Sequence, residues 1–386
     1  MKSLLLALVV SAGCLPVRAE TNTSAQAGDW HATNTWSLKR VPQTGDVVNV
    51  HHALVVTQSV DVGDSISCLW SNNARLVYAL KVKEGGSLVV GTNATLTVRG
   101  HLCLNSTLTL QEGGALVLNS EAAVGPGFTN YWVSMFTESP SYTPRIIARG
   151  TADHPCRIES IPANQASLMG GQWSGLATTN NGLITYSAYD AGIDAEHTTF
   201  KGLGSGLFFA WSYTPGSKGG YRLQDCVFDG CGRVVVKGAA NSKVPITTSF
   251  ERGVSRNSQP RYPDYNTAGY YGILQTGGST ALVSSCILRQ CDVDLNTLLF
   301  DLDGYTIEDC VFRGGALNPT FTKVPPIFRR NLLRYSYTQN DNLKMPYGMA
   351  MEDCLIMHDS TNWNPHFQMV IGGTGTAVVR RCIYWL

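Results

Sequence analysis

Arg222–Gly230 reads RLQDCVFDG, Leu282–Gln290 LVSSCILRQ, Thr306–Gly314 TIEDCVFRG, Ala350–His358 AMEDCLIMH and Val378–Leu386 VVRRCIYWL. Superposed, these stretches put Cys226, Cys286, Cys310, Cys354 and Cys382 in one column, and three weaker copies add Thr198, Thr248 and Asn331. Two residues on, the column runs Phe200, Phe228, Phe250, Leu288, Phe312, Leu333, Ile356 and Tyr384, at spacings of 28, 22, 38, 24, 21, 23 and 28. Three residues before the cysteine stand Ala195, Leu223, Pro245, Val283, Ile307, Phe328, Met351 and Val379, all apolar and strand-compatible except the proline. Within a strand, residues two apart share a face and residues three apart do not. All three columns therefore point inward only if the chain bends between the first and the second. A helix would instead continue the apolar pattern at i+4 and i+7, whereas Gly230, Gly253 and Gly314 or polar residues intervene. Two short strands meeting at a corner and recurring every 21–28 residues in the regular part describe one side of a solenoid coil.

The N-terminal third shows the same geometry on a finer scale. Apolar residues two apart recur at Leu88/Val90, Leu96/Val98, Leu102/Leu104, Leu108/Leu110 and Leu116/Leu118, with starts 8, 6, 6 and 8 residues apart. Three such sides make a coil of about 20–22 residues. EGGSLVV from Glu84 and EGGALVL from Glu112 are near copies, each turning on a glycine pair before a strand. A β-sandwich of short strands would also alternate, but it does not require the same residue types to recur in columns.

Length and charge fit an axial repeat. The 386 residues exceed the roughly 250–300 at which one globular core stops growing. Charged residues make up only 15%, with 29 Lys and Arg against 28 Asp and Glu. That balance leaves no electrostatic footprint for nucleic acid or an anionic membrane. Glycine at 39 residues with 44% hydrophobic content describes a folded, turn-rich chain. Met1-Lys2, the apolar Leu4–Val10 and the small-residue site Val17-Arg18-Ala19 read as a secretory signal peptide over 1–19, cut after Ala19. A lipoprotein box at Ser11–Cys14 is the rival reading. No stretch reaches the roughly 20 apolar residues of a membrane helix. The expected mature chain is exported to the outside or the cell surface, spans no membrane, is monomeric and keeps ten cysteines.

From these residues a resemblance follows. GDWHATNTWSLKRVPQTGDVVNVHHALVV (28–56) with LKVKEGGSLVV (80–90) and Gly28, Gly45, Gly85, Gly86, Gly100, Gly113 and Gly114 resembles the G8 module. From Arg149, ARGTADHPCRIES and GQWSGLATT resemble the entry to right-handed parallel β-helices of the pectate-lyase-like superfamily. The cysteine column resembles that fold's internal Asn ladder, which Asn331 retains. The resemblance implies an all-β fold, a single-stranded right-handed parallel β-helix. It divides the chain into 20–148, a G8-like N-terminal region, and 149–386, regular coils that stop inside a strand as a truncated fragment would. Proteins combining these parts include cell-surface hyaluronan-degrading proteins, while many bacterial relatives have no assigned role. No catalytic signature of a named family is present.

Candidate site residues cluster where the spacing lengthens. The 38 residues between Phe250 and Leu288 imply an insertion, ERGVSRNSQPRYPDYNTAGYYG, carrying Arg252, Arg256, Arg261, Tyr262, Tyr265, Tyr270 and Tyr271. Arg forks bind carboxylate or sulfate bidentately and tyrosine faces offer flat platforms, a combination suited to an acidic polysaccharide. A loop that merely covers the solenoid would use the same residues. Trp211, Tyr213 and Tyr221 form a second aromatic loop one coil earlier, and two loops on one face would wall a groove. In a lyase, Arg261 could neutralise the substrate carboxylate and Tyr265 remove the adjacent proton. Asp292/Asp294 and Asp301/Asp303 alternate, so each pair shares a strand face. They suit an acid–base pair of a glycoside hydrolase, a Ca²⁺ ligand set, or a solvated face. Asp190, Asp194, Glu196 and His197 form another polar cluster.

Eight histidines with no HExxH or CxxC give no zinc signature. His51 and His52 are expected on a strand of the N-terminal region, where adjacent residues face opposite sides and cannot easily share one metal. Five ladder cysteines invite either a buried stack of reduced thiols or disulfides such as Cys286–Cys310 and Cys354–Cys382. The expected function is binding or degradation of a polysaccharide, as lyase or glycoside hydrolase, along a groove of the solenoid. The competing class is a non-catalytic adhesion protein with the solenoid as a stalk.

Overall fold

The computed structural model describes residues 20–63, 78–99, 101–119, 135–136, 142, 144–161, 183–185, 192–203, 207–209, 220–231, 234–237, 247–257, 274–277, 285–293, 297–300, 304–313, 315–318, 325–335, 342–346, 348–358, 368–372 and 376–385. Among them lie 38 strands and one 3-10 turn, Thr33–Thr35. The named strands pair in parallel, each with the strand three places on in the regular coils. One coil runs Leu274–Gly277, Ser285–Arg289, Asp292–Val293, and the next stacks on it with Thr297–Phe300, Tyr305–Glu308, Val311–Arg313. The chain is a parallel β-helix with three faces.

The first face is a 13-stranded sheet from Gly28–Asp29 to Val378–Arg380, and the second a 12-stranded sheet from Val60–Val62 to Ile383–Trp385. The third is built of pieces of 5, 6 and 2 strands. First and second faces run without interruption past residue 148, where Leu108 pairs with Ile146 and Ile146 with Ile193. All five apolar pairs expected in the N-terminal third are buried on strands. The two EGG copies occupy different corners: Gly85 precedes a first-face strand and Gly113 a second-face strand. At the N-terminal end of the stack, Trp30 and Trp36 are fully buried, edge to face at 4.7 Å, with Trp36 Nε1 donating to the Trp30 carbonyl at 2.7 Å.

The bend expected from the column spacing is a single left-handed residue. Asp225, Arg252, Gln290, Asp309, Arg330, Asp353 and Arg381 have φ between 50° and 56°, and His197 has 44°. Positive φ is uncommon outside glycine, yet it recurs here once per coil, between first and second faces. The strained residue keeps its hydrogen bond: the amides of Asp225, Asp309 and Arg330 donate to Glu251, Arg329 and Glu352 carbonyls of the next coil, each at 3.0 Å.

The next residue is the ladder position, and strand register corrects its membership. It runs Cys156, Thr198, Cys226, Gly253, Cys291, Cys310, Asn331, Cys354 and Cys382. Cys291 and Gly253 thus replace the expected Cys286 and Thr248, a shift of five residues in two coils. With that shift, the position three before becomes Ala195, Leu223, Phe250, Leu288, Ile307, Phe328, Met351 and Val379, which face each other in register and are all apolar. Cys286 instead pairs with Tyr305.

Thiol and carboxamide do the same work in this column. Asn331 accepts the Cys310 amide at 2.9 Å and donates to the Ile307 carbonyl of the preceding coil at 2.8 Å. Cys226 sulfur accepts the Thr198 amide and its S–H reaches the Ala195 carbonyl at 3.6 Å; Cys291 reaches Phe250 O at 3.1 Å. Cys310 and Cys354 accept the amides of Cys291 and Asn331. Burial pushes the Cys226 thiol up to about 12 and the Cys354 thiol up to about 11, so both stay protonated donors at neutral pH.

Gly253 breaks the column for a steric reason. Phe250 packs edge-on against Phe228 at 5.5 Å, and a Cβ on Gly253 would overlap the Phe250 ring. Gly253→Cys, although it restores the majority residue, should destabilise the fold by about 1–3 kcal/mol through overpacking. A denaturant midpoint equal to or above the wild type would refute this. The described cysteines at 103, 156, 226, 231, 291, 310, 354 and 382 are free. Alkylation of denatured, unreduced protein followed by peptide mapping should label all eight, and two or fewer labelled thiols would contradict the reduced ladder.

Candidate functional site

The three corners differ in what they can carry. From Gln224 onward the first-to-second corner is two residues long in every coil, such as Asp309-Cys310 between Tyr305–Glu308 and Val311–Arg313. The corners flanking the third face take the long connections, although one of them, between Val311–Arg313 and Gly315–Asn318, is a single residue, and functional side chains concentrate on long loops. Segment 210–219 leaves third-face strand Leu207–Phe209 for first-face strand Gly220–Gln224. Segment 257–273 leaves second-face strand Val254–Arg256 for third-face strand Leu274–Gly277. The described ends of the two segments therefore bracket opposite edges of the third face, two coils apart. Trp211, Tyr213, Arg261, Tyr262, Tyr265, Tyr270, Tyr271, Asp294, Asp190, Asp301 and Asp303 lie outside the described residues.

Arg252, Arg256 and Asp292 are described, and each faces a charged partner one coil away. Arg252 is the left-handed corner residue and holds Asp225 in a fork, with Nε–Oδ1 2.7 Å and Nη2–Oδ2 2.6 Å. Arg256 Nε donates to Asp229 Oδ2 at 3.1 Å beside Asn257 at 2.8 Å from Oδ1. Asp292 accepts both arms of Arg313 at 2.8 and 2.7 Å. A substrate anion would have to displace Asp225 or Asp229 to use these arginines, and a hydrolase role for Asp292 would have to break its fork with Arg313. The three lie at the first-to-second corner or on the second face.

They belong to a larger pattern absent from the expectations. On the first face the register runs Glu251, Arg289, Glu308, Arg329, Glu352, Arg380. Arg329 reaches Glu308 and Glu352 at 3.5 Å each. At the corner, Arg330 forks Asp309 at 2.6 and 2.8 Å, and Arg381 forks Asp353. The signal was in the sequence as ED at 308–309, RR at 329–330, ED at 352–353 and RR at 380–381. Asp194, from the YDAGIDAEH cluster, lies between Arg149 and Arg222. Burial works to raise its pKa, but Arg149 and then Arg222 hold it below the usual carboxylate value.

His51 and His52 sit in the turn between Val47–Val50 and Ala53–Val56 rather than on a strand. His52 Nδ1 is 3.0 Å from Ser24 Oγ. Burial and then the charges of Lys83, His52 and Lys81 lower the His51 pKa. Among the described residues no three His, Cys, Asp or Glu side chains converge on a metal position, and no helix is long and apolar enough to cross a membrane. No family model, no curated protein and no solved structure matches this chain.

The ion-pair ribs predict an acid limit. Hydrogen bonds from Arg252, Arg330 and Arg381 lower Asp225, Asp309 and Asp353, and Asn257 with Arg256 lowers Asp229. Depressed folded-state values stabilise the fold above the unfolded carboxylate pKa, and that contribution disappears as pH falls through the folded values. The urea midpoint should hold from pH 7 to about 5 and drop below about pH 4, less steeply in Asp309→Asn. A midpoint unchanged down to pH 3 would contradict the role given to the ribs.

Proposed function

We propose that this is a secreted, monomeric carbohydrate-active protein that binds or degrades an acidic polysaccharide lying along the third face. The observation that carries the reading is the bracketing of that face by the described ends of 210–219 and 257–273, the segments that hold Trp211, Tyr213 and the Arg–Tyr insertion. The tight, ion-paired first-to-second corner leaves the third face as the place for long connections. The signal-like 1–19 and the G8-like resemblance of 20–148 support export and a carbohydrate context. Cleavage would proceed with Arg261 on the substrate carboxylate and Tyr265 as base, or with paired carboxylates in a hydrolase. Arg252 and Arg256 would join only by exchanging their aspartate partners.

A non-catalytic adhesion role has its own support. Thirteen and twelve strands in unbroken sheets make a rod of about 60 Å at a strand spacing of about 4.8 Å.

Incubation with a panel of uronic-acid polymers, following unsaturated-product absorbance and reducing ends in parallel, separates the two. Activity should appear in one channel and fall about 10²–10⁴-fold in the Arg261→Ala/Tyr265→Phe double variant. Full activity in that variant would remove both residues from catalysis, and silence in both channels across the panel would favour adhesion.

A further inference from the structure

Two places in the ladder put thiol directly over thiol. Elsewhere Thr198, Gly253 and Asn331 separate the cysteines, but Cys291 stacks on Cys310 and Cys354 on Cys382, in parallel register. Cys291 and Cys310 are each 1% exposed and adopt the same pose, with sulfur 3.3 and 3.2 Å from the carbonyl two residues earlier, Arg289 O and Glu308 O. Equivalent poses on neighbouring parallel strands repeat at about 4.7–4.9 Å. A disulfide needs sulfurs about 2.05 Å apart and Cβ atoms about 3.5–4.5 Å apart, so both side chains would have to leave this shared pose and turn toward each other. A metal midway between two sulfurs, at about 2.3 Å from each, spans roughly 4.6 Å and leaves the stack undisturbed.

We propose that Cys291 and Cys310 form a two-coordinate thiolate site for a soft divalent d¹⁰ cation, and that Cys354 and Cys382 repeat it. Each ion displaces two protons, 2 RSH + M²⁺ → RS–M–SR + 2 H⁺. The adduct is neutral, which suits an apolar core, whereas a monovalent soft cation would leave a buried negative charge. The Cys310 sulfur keeps the Cys291 amide as a hydrogen-bond donor, the outer support that metal-bound thiolates use. Zinc, which wants four ligands, finds no third ligating side chain at either pair among the described residues.

The test is titration of the reduced full chain with Hg²⁺ and, separately, Ag⁺, read by native mass spectrometry and by residue-resolved alkylation. Hg²⁺ should protect Cys291, Cys310, Cys354 and Cys382 ahead of Cys156 and Cys226, which have no thiol neighbour in the column, and should bind more tightly than Ag⁺. Cys291→Thr, a residue the column already holds at 198, should lose one bound ion and expose Cys310 while leaving the Cys354–Cys382 pair protected. If that variant fails to fold by circular dichroism, Cys310→Thr serves with Cys291 as the reporter. Protection spread evenly over paired and unpaired cysteines would overturn the proposal. So would a metal-free mass loss of two hydrogens with a Cys291–Cys310 cross-linked peptide.

Discussion

The structure depends on one amide. When a left-handed residue turns the chain from the first face to the second, the following residue enters the core with its N–H directed along the helix axis toward the next coil. At Thr198, Cys291, Cys310 and Asn331 a side chain of the next coil accepts it, which spares a buried amide the cost of about 1–3 kcal/mol that having no partner would carry. Asn331 does so for Cys310 through a carboxamide oxygen, and Cys226, Cys310 and Cys354 do so for the coils beneath them through sulfur. A thiol also supplies one donor, which Cys226 and Cys291 return to the carbonyl three residues upstream in the preceding coil. That shared donor–acceptor capacity explains why one asparagine, Asn331, can stand in a column made mostly of cysteines. Their content as redox or metal ligands is secondary to this role.

The same corner arranges the outside. A two-residue turn gives no slack for a loop, so the solvent side of the first-to-second corner is filled by short-range charge pairs between successive coils. The low charge content then has a location: many charged residues among those described are committed to neighbours in the stack. Long connections are displaced to the edges of the third face, the same separation of rigid scaffold from variable loops that lets one architecture carry different sites.

The architecture could be read from sequence because a solenoid repeats its constraints. The spacing apolar-x-x-Cys-x-apolar implied a bend, and the bend is there at Asp225, Asp309 and Asp353. Register was harder. Cys286 and Cys291 lie five residues apart, and each is followed two residues later by an apolar side chain, Leu288 or Val293, so the cysteine motif fits in both places. The position three before decides: Pro245 and Val283 in one alignment, Phe250 and Leu288 in the other, and only the second gives an unbroken apolar column. The site was less legible, because side chains that meet across coils are tens of residues apart in the chain. Arg252 and Arg256 looked like ligand forks as isolated residues. Their partners Asp225 and Asp229 are 27 residues upstream and emerge only once the coil length is known.

The alternating charges at Glu308-Asp309, Arg329-Arg330, Glu352-Asp353 and Arg380-Arg381 impose an arithmetic on how such a chain can change. Removing the coil that carries Arg329 and Arg330 would stack Glu308 on Glu352 and Asp309 on Asp353, like against like. Removing two successive coils would restore every opposite pair. In this part of the solenoid, growth and shortening by duplication are therefore favoured in even steps, a parity rule written on the surface and independent of what the core contains.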